Sequence, residues 1–154
     1  MVAKDIMTRS VITLSPDDPL EKAAQTFAQR RIGGAPVVDG AGTVVGIVTQ
    51  DDILRYVATR VPYVFDLLFA GSLVVPDQET FEDKARTIHG LHVRDAMTRH
   101  VISVSEQTAV EDVARILMTR RIKRVPVLSS GRLVGVVARG DIVRAVGGDL
   151  QTGS

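Results

Sequence analysis

The sequence has no cysteine in its 154 residues, which excludes disulfide frameworks, thiolate nucleophiles and Cys-based zinc or iron–sulfur sites. It has no tryptophan, and aromatics make up 4% of it, too few for a platform on which unpaired bases stack. Neither charge sign dominates: 19 basic against 18 acidic side chains give a net charge of +1, with no global pull toward nucleic acid or a membrane surface. No apolar run reaches the roughly 18 residues of a membrane span. The nearest, VPYVFDLLFAGSLVVP at 61–76, carries Asp66 and is bracketed by prolines. The first residues, MVAKDIMTRS, lack the apolar region of a secretory signal. A cytoplasmic location is therefore expected, without membrane attachment. Catalytic signatures are missing too: no GxSxG and no GxxxxGK[ST] occurs, so a non-enzyme with no obligatory cofactor is expected.

What is present is a repeat. Shifted by 90 residues, KDIMTRSVITLS (4–15) aligns with RDAMTRHVISVS (94–105), and RRIGGAPVV (30–38) with RRIKRVPVL (120–128). The offset slips to 89 between DGAGTVVG (39–46) and SSGRLVG (129–135), a Gly-rich stretch where a turn can lose one residue. Beyond it, Gly46, Asp52, Ile53, Arg55 and Val57 match Gly135, Asp141, Ile142, Arg144 and Val146. Residues 1–57 and 92–146 thus form two copies, separated by a unique segment, 58–91, and followed by a short tail, 147–154.

Each copy predicts a β-α-β-β-α unit. SVITLS and HVISVS are β-branched runs. Asp18, Pro19, Leu20 and Glu21 offer an N-cap, a proline at N1 and an acid at N3, and Thr108 with Glu111 offers a capping box. Val110, Val113, Ala114, Leu117 and Met118 define one apolar helix face, matched by Leu20, Ala23, Ala24, Phe27 and Ala28. Strands APVVD and TVVGIVT and a last helix from near Asp51 complete the unit. The run VVGIVT does not alternate, which predicts a strand covered on both faces. One unit is too small to cover it, so two units packed about a pseudo-twofold axis are expected. In the connector, PDQETFEDKARTIHG predicts a helix from Asp77 to a stop at Gly90, and YVFDLLFAG a second helix packed on the repeats or on another chain.

The phrase GIVTQDDI (46–53) returns as GVVARGDI (135–142), keeping Asp and losing Thr. Thr49 and Asp52 read most simply as a capping pair at a helix start. Ala138 cannot supply the hydroxyl, yet Asp141 is retained, which points to a second use for the acid. A helix N-terminus suits a phosphate, and a carboxylate in the same turn accepts hydrogen bonds from a vicinal diol.

The methionine–threonine start, the strand and helix order and the twofold G-h-h-[ST]-x-x-[DN]-like phrase resemble the cystathionine-β-synthase (CBS) domain, and the pair resembles a Bateman module. The resemblance covers 2–57 and 92–146. It implies an α/β fold of tandem CBS repeats with two clefts that often take AMP, ADP, ATP or S-adenosylmethionine, and a homodimer. It implies a first cleft with Asp52 on the ribose, Thr49 on a ribose or phosphate oxygen, Ile47, Val101, Ile102, Ile122 and Pro126 about the base, and Lys123 and Arg139 facing phosphate. A second cleft would use Asp141, Val136, Val11, Ile12, Ile32 and Pro36, with Gly33 and Gln50 at the phosphate positions and Ala138 at the hydroxyl position. Two cations against none predict that the first cleft holds the anionic nucleotide and that the second is weaker, empty or suited to a less charged ligand.

Other constellations are less specific. His89 and His92 flank a glycine without accompanying acids, a poor metal pair. RRIKR (120–124) could contact nucleic acid, but RRIGG keeps the arginines, which places Arg30, Arg31, Arg120 and Arg121 on solvated helix ends. The expected function is sensing of an adenosine-type ligand for an effector protein in another chain. The alternatives are a structural dimerisation module with vestigial clefts and a nucleic-acid binder using the basic helix ends.

Overall fold

The computed structural model describes residues 1–59 and 90–148. The expected connector helices fall almost wholly outside these residues, as do His89 and the last six of the chain. The chain divides into two compact units: Met1–Thr13, Val38–Val45 and His100–Ser154 form the first, and Leu14–Val37 and Gly46–Arg99 the second. Their boundaries cross those of the sequence repeats. Each unit holds the helices and most or all of the sheet of one repeat together with the short methionine-bearing segment that opens the other; the turn end of the first repeat's strand pair, Val38–Val45, is grouped with the first unit.

In the second unit, α2 (Leu20–Arg30) leads to β1 (Gly34–Val38), which pairs with β2 (Val44–Thr49), and α3 (Gln50–Thr59) follows directly. Leu14 adds a single parallel bridge to Val37. The segment that docks here is α4 (Val93–Ala96) with Met97 and Thr98. Thr98 and Ile47 exchange both backbone hydrogen bonds, at 2.8 and 3.0 Å, and the Val93 amide donates to the Asp18 carbonyl at 2.8 Å. Leu14, Leu20, Ala23, Phe27, Ala35, Val37, Val48 and Val93 are buried. Fully burying each larger aliphatic or aromatic side chain contributes about 1.5–3 kcal/mol.

The first unit repeats the plan. Its sheet has the order β3-β4-β5, with β3 (Val104–Ser105) parallel to β4 (Arg124–Ser129) and β4 antiparallel to β5 (Arg132–Ala138). Ser130 and Gly131 join the last two strands with φ of 50° and 77°, a two-residue hairpin turn, whereas the first copy uses the longer 39–43 loop closed on the Asp39 carboxylate. The lost residue of the repeat therefore lies in a turn. Helices α5 (Val110–Thr119) and α6 (Arg139–Val146) complete the repeat, and α1 (Ala3–Ile6) docks from the chain start. Thr8 and Val136 exchange backbone bonds at 2.9 and 3.0 Å, and Ala3 and Met7 enter a core with Val104, Val113, Leu117, Val125, Val127 and Val137.

The docking explains the glycine that opens both phrases. A Cβ on Gly46 would lie 2.6 Å from Met97 Sδ and 3.0 Å from the Thr98 carbonyl oxygen; one on Gly135 would lie 2.8 Å from Met7 Cγ and closer still to its sulfur. A methionine occupies the space of the missing side chain in each unit.

Several local expectations need correction. Pro19, not Asp18, is the N-cap of α2; the Asp18 carboxylate instead accepts the Ser15 amide at 2.8 Å, closing the preceding turn. Ala109 precedes α5, and Thr108 is used likewise, its hydroxyl accepting the Ser105 amide at 3.1 Å. In both copies the capping-type side chain closes the turn before the helix, and an extended Pro19 or Ala109 enters it. Met118, placed by periodicity on the apolar face of α5, is 68% exposed. Strand β2 alternates in burial, with Gly46 and Val48 buried between half-buried neighbours, so uniform hydrophobicity did not mean equal cover on both faces. The arginine pairs are exposed as expected, and Arg31 and Arg121 turn the chain at φ of 53° and 54°.

Candidate functional site

In each unit the last strand runs straight into the last helix, and an acid at the third helical position turns back to cap it. Asp52 Oδ2 accepts the Thr49 amide at 2.9 Å and the Thr49 hydroxyl at 3.1 Å, while the Asp52 amide donates to that hydroxyl at 3.2 Å. This is a reciprocal capping arrangement. On the other oxygen, Oδ1 accepts Arg55 Nη1 at 3.1 Å and the Thr98 hydroxyl at 3.3 Å. Asp141 Oδ2 accepts the Ala138 amide at 2.7 Å, and Oδ1 pairs with Arg144 Nη2. The residues are 5% and 7% exposed, the buried acids among the described residues.

The second copy therefore still uses its acid as a cap. The backbone amide of Ala138 supplies the donor that matters, so the retention of Asp141 without a threonine has a structural cause and is not by itself a sign of ligand binding. Both carboxylates are nonetheless held rigidly at helix N-termini.

Beside each cap the chain returns from the helix-end arginines. In the first unit the Arg139 amide donates to the Lys123 carbonyl and Arg139 Nε to the Ile122 carbonyl, both at 3.1 Å. In the second, the Gln50 amide donates to the Gly33 carbonyl at 2.9 Å and Gln50 Nε2 to the Ile32 carbonyl at 3.4 Å. Lys123 and Arg139 thus occupy the positions of Gly33 and Gln50, with two exposed cations in one unit where the other has none.

The residues expected in the first cleft divide between the units: Ile47, Thr49 and Asp52 in the second, Val101, Ile102, Ile122, Lys123, Pro126 and Arg139 in the first. Of the second set, Val11, Ile12, Val136 and Asp141 belong to the first unit, and Ile32 and Pro36 to the second. Within the first unit, Ile102 and Ile122 pack on the core and Pro126 faces Val136 across the strand pair. Val11, Ile12, Ile32, Ile47, Val101 and Val136 are half-buried. Pro36 and Pro126 are less than 2% exposed, which leaves them almost no surface with which to touch a ligand.

Three partners of the acids escaped the sequence reading. Arg55 and Arg144 stand three residues beyond each acid at matched repeat positions, a spacing that signals an ion pair. Thr98 comes from 46 residues away and had no local signal. Among the described residues no group of three or more metal-ligating side chains occurs, and no helix is long and apolar enough to cross a membrane.

Two α/β units with matched caps, built from an interleaved repeat, define a tandem-repeat protein. A family model for the CBS domain matches residues 3–59 and 93–148, and the chain belongs to that family. The uncharacterized protein MJ1426 of Methanocaldococcus jannaschii is 30% identical over 95% of this chain and 91% of its own length. Of two other curated relatives the chain spans 46% and 61%. Among solved structures, CBSX2 in complex with AMP aligns with a TM-score of 0.71 at 26% identity, over 94% of this chain and 95% of that one. The CBS domain pair of protein MJ0100, in complex with 5′-methylthioadenosine and S-adenosyl-L-methionine, aligns with a TM-score of 0.71 at 28% identity, over 96% and 97%.

Proposed function

We propose that the protein is a regulatory, non-catalytic module that binds an adenosine-containing ligand of the AMP, ADP, ATP or S-adenosylmethionine class and passes its state to a partner protein. The observation that carries this reading is the alignment of nearly the whole chain with CBS-pair structures that hold AMP or S-adenosyl-L-methionine, and the buried carboxylates Asp52 and Asp141, fixed at helix N-termini, are its candidate sugar contacts. A fixed acid of this kind recognises ribose hydroxyls, and adenosine compounds are what the named CBS-pair structures hold. In the proposed first site Asp52 and Thr49 take the sugar, Ile47, Val101, Ile102 and Ile122 flank the base, and Lys123 and Arg139 meet phosphate. In the second, Asp141 takes the sugar beside Val136, Val11, Ile12 and Ile32, with Pro36, like Pro126 in the first, backing the site from the strand. The cations favour phosphate at the first site. Homodimerisation and a cytoplasmic setting belong to the same proposal.

Thermal unfolding with AMP, ADP, ATP and S-adenosylmethionine tests it, using the wild type, Asp52→Ala and Asp141→Ala. Ligand at about 100 times its Kd adds roughly 2.7 kcal/mol, a rise on the order of 5–10 °C at this size. A rise lost chiefly in Asp52→Ala supports a sensor with its main site at Asp52. No rise with any of the four compounds would instead favour a structural module.

A further inference from the structure

Resting on that reading, we propose that Thr98 is a built-in competitor for the sugar at Asp52 and sets the affinity of that site. A carboxylate offers about four acceptor positions. At Asp52 four donors fill them: the Thr49 amide and hydroxyl on Oδ2, and Arg55 and the Thr98 hydroxyl on Oδ1. At Asp141 there are two among the described residues, the Ala138 amide and Arg144. A diol reaching Asp141 adds hydrogen bonds to an acid with acceptor positions open. A diol reaching Asp52 must displace donors already there.

Of the Asp52 donors, the Thr49 pair cannot leave without uncapping α3. Arg55 has a long side chain that is 68% exposed and can swing into water. Thr98 differs from both. Its backbone is pinned by two bonds to Ile47, and the preceding Met97 fills the notch over Gly46, so the residue stays in place while its hydroxyl turns about one bond. The hydroxyl is thus held beside Oδ1 as an intramolecular stand-in for a ligand hydroxyl. The corresponding Thr8 makes the same backbone pair with Val136, but Asp141 receives no bond from its hydroxyl. The competitor belongs to one site only.

The test is calorimetric titration of the full chain with AMP, comparing Thr98→Val, Thr98→Ala and Thr98→Ser with Thr8→Val, and with Asp52→Asn and Asp141→Asn to assign each binding event. Removing one competing hydrogen bond to the carboxylate, long at 3.3 Å, should tighten AMP at the Asp52 site by about twofold to tenfold. The valine and alanine variants should both tighten it, the serine variant should match the wild type, and Thr8→Val should leave it unchanged. General damage to the site would weaken binding, so the sign separates competition from disruption. Unchanged or weaker binding at Asp52 in both the valine and alanine variants overturns the inference and leaves the sensor reading standing. AMP binding that survives Asp52→Asn and is lost only with Asp141→Asn does the same. Absence of AMP binding in every variant, the wild type included, sinks the inference, and absence of a response to all four adenosine compounds in the unfolding test sinks the sensor reading.

Discussion

Asp52 and Asp141 are buried, yet the arginines that reach them keep side chains 68% and 55% exposed. At the helix starts the acids are also held by backbone amides, at 2.9 Å for Asp52 and 2.7 Å for Asp141, joined at Asp52 by the Thr49 hydroxyl. Lys123 and Arg139, the proposed phosphate contacts, are exposed cations by comparison. Lys123→Ala and Arg139→Ala should each weaken AMP by roughly 10- to 100-fold if the cation makes a charge-assisted bond worth about 1.5–3 kcal/mol, and should barely alter adenosine. Calorimetry with the two ligands side by side checks this; equal losses for both would mean that these residues hold shape and not charge. The acids, the cations and their repeat partners were all readable from the sequence, because a 90-residue shift puts like beside like. What sequence could not supply was occupancy. Nothing near Asp52 in the chain announces Thr98, and nothing in Ala138 reveals that its amide does the capping.

Among the elements, the strands and long helices were legible because β-branched runs and 3.6-residue periodicity report burial directly. Helix entries were misplaced by a residue in both repeats because Asp18 and Thr108 satisfy the turn before the helix as well as they would satisfy the helix itself. The glycine of strand β2 and its counterpart in β5 carried no meaning until the docking methionines were seen. Gly46→Ala and Gly135→Ala should each destabilise the fold by about 1–3 kcal/mol, the range for an overfilled core. Chemical denaturation measures it. Pairing Gly46→Ala with Met97→Ala should recover part of the loss, since two of the three nearest atoms belong to that side chain and the third to the Thr98 backbone. If the double variant is no better than the sum of its parts, the methionine is not what excludes the methyl group.

At the scale of the whole chain, repeat and compact unit are different things. The sequence showed the repeat through its internal similarity, but a copy's similarity to its twin does not say which sheet its first residues join. Deleting residues 1–9 removes α1, with Ala3 fully buried and Met7 8% exposed, from the sheet of the second repeat. The expected loss is roughly 2–5 kcal/mol, as for removing a large buried side chain. Hydrogen exchange should quicken in β4 and β5 more than in β1 and β2. Equal quickening in both sheets would show that the docked segment has no preferred beneficiary.

The interleaving also bears on how such a chain can have come about. A single copy of the repeat has an outgoing segment with no sheet to receive it and a sheet whose glycine notch stands empty. It could complete itself by borrowing from a second polypeptide. Two copies in tandem answer each other's need, so the repeat is a unit of inheritance while the folded unit is assembled from both, and a cut between the copies would leave two fragments that each require the other.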